Sequence, residues 1–139
     1  LRSTVVIFAL TFAVLGLLLG YAASYDVPSN PGGLLELRTD KPEYDKGENV
    51  TFTARNVGSA PLVFPDSALG ISITNTDTGM SYGIIALQVL TSMESGETMQ
   101  IVWRQEGVGE VADSGSYVAR IVTAADSPSA TAEVTFGIR

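Results

Sequence analysis

The twenty-three residues from Ser3 to Tyr25 carry no charge, and this run constrains the chain more than any other feature. As a helix it would span about 35 Å at 1.5 Å per residue, enough to cross a bilayer core of about 30 Å. Eighteen of the first 25 residues are apolar, against 45 of the remaining 114. The chain therefore divides into a greasy N-terminal rod and one acidic domain of ordinary composition. Tyr21 and Tyr25 close the far end of the rod, where aromatic side chains suit a membrane–water boundary. Arg2 at the near end favours a cytoplasmic start and an outside C-terminal domain. The apolar run exceeds a signal-peptide core of about 7–15 residues. Its first residue is Leu1 rather than Met, so the expectation is a retained hydrophobic segment from which an upstream leader has been cut.

Small residues recur along the rod. Ala9, Ala13, Gly16, Gly20 and Ala23 follow one another at spacings of four, three, four and three, which places them on one face of a helix. Gly16 and Gly20 form a GxxxG pair within that stripe. Small side chains let helix backbones approach closely in an apolar setting, so this stripe is the candidate helix-packing interface. The competing reading is that Ala and Gly are simply frequent in membrane helices. The next segment holds Pro28, Pro31, Gly32 and Gly33, which cannot continue a helix and read as a hinge.

From Leu34 onward the apolar residues alternate with period two. Val50–Arg55, Ile71–Thr74 and Ala132–Phe136 alternate most clearly. Leu34–Thr39, Ile84–Leu90, Met99–Arg104 and Tyr117–Thr123 are further strand candidates, rich in β-branched or aromatic residues. Turn signals separate them at Asp45–Gly47, Asn56–Pro61, Thr76–Gly79, Glu94–Gly96 and Asp113–Gly115. Short strands with such punctuation imply an antiparallel β-sandwich.

Cysteine and histidine are both absent. That excludes a disulfide framework, the usual zinc, blue-copper and haem ligation, thiolate nucleophiles and a Ser-His-Asp triad. Eight Lys and Arg stand against fifteen Asp and Glu, for a net charge of −7, without a basic stripe. A phosphate backbone would be repelled, so no nucleic-acid partner is expected. No cofactor and no catalysis are expected either.

Lys41–Leu62 resembles the opening of many prokaryotic immunoglobulin-like surface domains, which share a Y-x-x-G-E-x-V-x-F-x-x-x-N-x-G run; here it starts at Tyr44 and ends at Gly58. Ser95–Trp103, followed by Gly115–Tyr117, is similar to the later half of these domains, including the intracellular-proteinase-inhibitor-like family. Asp113–Ala119 resembles a tyrosine corner, in which the Tyr hydroxyl bonds back to upstream backbone. Ala119 occupies the usual cysteine position. The expected class is thus α+β: a long hydrophobic helix over 1–25, a Pro/Gly linker over 26–33, and over 34–139 an all-β immunoglobulin-like antiparallel sandwich of about 7–8 strands.

Three local features invite chemistry. Asn49-Val50-Thr51 is an N-glycosylation sequon, which would carry a glycan if the head lies outside the cell. Asp40, Glu43, Asp45 and Glu48 crowd one turn, and Asp77 and Asp113 flank glycine turns. Calcium needs about six to eight oxygens, but no D-x-D-x-D-G loop is present, so a solvated acidic turn is the favoured reading and no metal site is expected. Trp103 and Tyr117 sit in alternating patterns that place them in the core.

The whole resembles the archaeal type IV pilins and archaellins, in which a leader peptidase cuts before the apolar segment and the helices bundle into a filament core. A bacterial pilin would carry Glu at mature position five, where this chain has Val5. The resemblance implies a homo-oligomeric helical filament at the cell surface, with the subunit in the cytoplasmic membrane before assembly. A second reading is a single-pass anchored binding module, such as an accessory protein that contacts the surface-layer protein. Protease inhibition is a third, suggested by the immunoglobulin-like family.

Overall fold

The structure, a computed structural model, describes residues 33–107 and 110–139. Twelve strands occur there. They are β1 (Leu35–Thr39), β2 (Glu43–Tyr44), β3 (Val50–Asn56), β4 (Leu62–Phe64), β5 (Ser72–Asn75) and β6 (Ser81–Tyr82). They continue with β7 (Thr91–Met93), β8 (Thr98–Trp103), β9 (Glu106–Gly107), β10 (Glu110–Val111), β11 (Gly115–Val122) and β12 (Thr131–Ile138).

Period-two alternation makes these strands and decides which face is buried. Along β3, Val50, Phe52, Ala54 and Asn56 point inward, while Arg55 is exposed between them. Antiparallel pairing sets Phe52 opposite Ile101 and Ala54 opposite Met99, so β1, β3 and β8 form one layer in that order. The facing layer has the order β2-β12-β11-β5-β6, with β2 parallel to β12. Two small ribbons, β4 with β7 and β9 with β10, complete the set.

The core lies between the two main layers, and aromatic rings bridge them. Phe52 meets Phe136 edge-on at 5.6 Å, and Trp103 lies 5.8 Å from Tyr117. Tyr117 in turn stacks on Phe136 at 5.5 Å. Burying each such side chain contributes about 1.5–3 kcal/mol, and paired rings contribute about 0.5–1.5 kcal/mol more. Trp103 and Tyr117 are both buried, as their alternating positions predict.

The α+β class is corrected. The described residues contain no helix and are all-β, because no stretch among them keeps a 3.6-residue apolar period. None of their elements is a helix long and apolar enough to cross a membrane. The helix expected over residues 1–25 lies outside the described residues. The strand count also exceeds the expected seven or eight, because β2, β6, β9 and β10 are two-residue pieces with no apolar run to announce them. Of the seven sequence candidates, six overlap β1, β3, β5, β8, β11 and β12. The seventh, Ile84–Leu90, is not a strand.

Candidate functional site

Two kinds of surface are available, one made by polar turns and the other by an apolar segment. The turns are held from inside. Gln105 is fully buried, with a left-handed backbone (φ 59°). Its amide donates to the carbonyls of Asp45 and Glu48 at 2.8 Å each and accepts from the Gly47 amide at 2.9 Å. One side chain thereby fixes a turn nearly sixty residues upstream. Asn56 does the same at the opposite end of β3, donating to the carbonyls of Ala60 and Met93 and accepting from the Gly58 amide.

The third tie is the corner before β11. The Tyr117 hydroxyl donates to the Asp113 carbonyl at 2.6 Å, the upstream bond that the sequence resemblance implies. Asn75 accepts from the amides of Asp77 and Thr78, and Asp77 accepts from the Ser116 amide. Gly115 has φ 148°, and a Cβ there would meet the Asp77 carboxylate at 2.7 Å, so the corner requires glycine. Burial pushes the Tyr117 phenol above its ordinary value.

The acidic turn is tied mainly by cations and backbone. Lys41 Nζ donates to Glu48 at 2.6 Å, which holds the Glu48 carboxyl below and the Lys41 amine above their ordinary values. Arg139 lies 3.5 Å from Asp45 and 3.7 Å from Glu43. The Tyr44 hydroxyl donates to Asp40, and burial followed by that carboxylate pushes the Tyr44 phenol up. Among the described residues no three acidic groups converge in a way that would hold a metal ion.

The apolar surface is the segment that fails to become a strand. Sixteen residues separate Asp77 from Glu94, and none of them is charged. Ile84 and Ala86 pack on the core, whereas Ile85 is 94% exposed and Leu87 and Leu90 are each 71% exposed. Ser67 anchors the middle, with its hydroxyl accepting from the Leu87 amide and its own amide donating to the Leu87 carbonyl. Between the start of this segment and the end of β8 lies a groove of about 390 Å³, lined by Gly83, Ile84, Ile85, Val102, Arg104 and Glu106, with Trp103 at its base. Such a surface can bind, but it brings no nucleophile together with a base. Sequence reasoning missed it as a surface, although an uncharged run of that length in an acidic domain was a usable signal.

Most of the residues singled out from sequence lie elsewhere. Ala9, Ala13, Gly16, Gly20, Ala23, Pro28, Pro31 and Gly32 lie outside the described residues. Gly33 begins the described part in a bend just before β1. Asn49 is exposed on the connection from β2 to β3, and its sequon partner Thr51 is half-buried within β3.

No protein-family model matches the sequence, and no curated protein matches it. Solved structures do align with it at low identity. A chain of the Salmonella enterica SafA pilin in complex with the SafB chaperone aligns with 16% identity over 81% of this chain and 58% of that one, with a TM-score of 0.51. The sulfur carrier protein SoxY from Chlorobium limicola f thiosulfatophilum aligns over 88% of this chain and 96% of that one, at 14% identity and a TM-score of 0.41. The Pseudomonas fluorescens alkylpurine DNA glycosylase AlkC, bound to DNA containing an abasic site analog, aligns with 16% identity over 78% of this chain and a TM-score of 0.44. This chain spans 31% of the glycosylase and just over half of the pilin-complex chain. These likenesses concern the fold alone. The class that the two layers themselves define is a β-sheet-rich sandwich domain.

Proposed function

We propose that this chain is a non-catalytic structural subunit of an extracellular filament of the archaeal type IV pilus or archaellum kind. Residues 1–25 are its polymerising segment, and the immunoglobulin-like sandwich is displayed outward. The observation that carries the reading is the pairing of an uncharged 23-residue apolar run with an acidic sandwich. The likeness of that sandwich to a chain in a pilin–chaperone complex is consistent with a surface role. The subunit would reside in the cytoplasmic membrane before assembly, with copies of itself as its main partner.

A second reading is a single-pass anchored binding module, for which the exposed apolar segment Ile85–Leu90 is the supporting observation. Negative-stain microscopy of sheared cell-surface material separates the two. The filament reading expects filaments that contain this chain and that disappear in Gly16→Leu and Gly20→Leu variants, since bulk there would block close packing. A chain retained in membranes, with normal filaments in those variants, would favour the anchored module.

A further inference from the structure

We infer that the head carries a second, self-complementary interface: the open edge of β8 together with the Ile84–Leu90 segment docks on the same surface of a second copy. Among the described residues β8 pairs only with β3. The Asn56 amide donates to the Glu97 carbonyl, which sets the hydrogen-bonding phase of the β3–β8 ladder. In that phase the peptide groups of Met99, Ile101 and Trp103 face β3, and those of Thr98, Gln100 and Val102 face the open side. Natural edges are usually blunted by Lys, Pro or a bulge. The strand Thr98–Trp103 contains neither Lys nor Pro and has an unbroken register with β3.

Charge selects the occupant. Two copies of a chain with net charge −7 repel each other over most of their surfaces. Both the β8 strand and the residues from Thr78 to Met93 are uncharged, so like charges are not forced together there. Ile85 and Val102, 94% and 47% exposed, offer apolar area for burial on each side. The charged residues of the groove are one Arg and one Glu, Arg104 and Glu106, and among the described residues neither has an ion-pair partner. In a two-fold contact residue i meets residue j and j meets i. Arg104 of each copy can then pair with Glu106 of the other, an arrangement matched by a second copy of this chain. The contact goes beyond the filament reading, because it belongs to the head and does not require polymerisation by residues 1–25.

The test uses the full chain in mild detergent, which needs no cysteine removal because the sequence has none. Single Ile85→Cys and Val102→Cys variants should be joined into dimers by a long flexible bis-maleimide cross-linker, whereas Val122→Cys, on an exposed apolar position of β11, should not. In sedimentation, Arg104→Glu and Glu106→Arg should each weaken self-association about tenfold by juxtaposing like charges, and the double swap should restore it. Equal cross-linking at Val122, a monomer at all concentrations, or a double swap no better than either single one would each overturn the proposal. Cross-linking of Val102→Cys in cells to a different protein alone would also overturn it. Loss of filaments in the Gly16→Leu variant would leave these head measurements unchanged, so the two readings fail separately.

Discussion

The turn held by Gln105 and the segment from Gly83 to Leu90 solve opposite problems. The turn is acidic and exposed, yet it is fixed by a fully buried amide that satisfies two carbonyls and one N–H. The segment is apolar, yet it leaves Ile85, Leu87 and Leu90 in solvent, with Ser67 bonding the Leu87 backbone. In these two stretches, order therefore follows backbone satisfaction rather than hydropathy. A polar turn with an internal partner is part of the folded unit, whereas an apolar strip without a strand partner stays available for contact.

Trp103 lines the groove beside the apolar segment and immediately precedes Arg104 and Gln105; its ring packs against Tyr82 and Tyr117 in the core, and its indole N–H donates to the Glu106 carbonyl. Trp103→Ala should cost about 3–5 kcal/mol in urea denaturation. A loss below about 1 kcal/mol would mean that the two layers do not share one core. Next in size, Gln105→Ala removes the side-chain partner of the Gly47 N–H and of the Glu48 carbonyl, while the Asp45 carbonyl keeps the Glu48 amide, and should cost about 2–3 kcal/mol. A neutral result would show that water replaces the amide, erasing the contrast with the apolar segment.

Tyr117→Phe removes the single bond to Asp113 and should cost about 1 kcal/mol, read from the shift in denaturation midpoint. The buried tyrosines also set an alkaline limit. Tyr44 and Tyr117 have raised folded-state values, so the neutral phenols stabilise the fold fully below the ordinary value of 10. That contribution is lost as pH rises from there through the folded values, because the unfolded chain ionises first. Phenolate absorbance should thus show two late groups ionising together with unfolding, and Tyr44→Phe should soften the alkaline loss. Two tyrosines titrating near 10 in the folded head would contradict their burial.

The smallest effect belongs to the apolar side. Ile85→Ser should change head stability by no more than about 0.5 kcal/mol, since the side chain is almost wholly exposed. A large loss at Ile85 would place the segment inside the cooperative unit and dissolve the comparison.

Legibility from sequence divides along the same line. Six strands followed from alternation because each has one buried and one solvated face, and that periodicity is local information. The upstream bond of Tyr117 was also readable, since Asp113-Ser-Gly115 places its acceptor only four residues away. Ile84–Leu90 satisfied the same composition rules and still formed no strand, because pairing depends on a neighbour brought up by the rest of the chain. Gln105 and Asn56 were overlooked as structural residues for a related reason. Their partners include carbonyls and amides that become neighbours only after β3 and β8 have paired.

The sequence by itself determined the division of the chain into an apolar run and an acidic head, the exclusion of Cys- and His-based chemistry, and the alternation that makes the head a sandwich. These follow from residue type and spacing, which folding does not alter. The tertiary structure decided which apolar stretch remains unpaired, which amides hold the turns, and which edge is left open beside Arg104 and Glu106. Those outcomes depend on hydrogen-bond partners far apart in the chain, and only the packed layers determine which backbone groups find one.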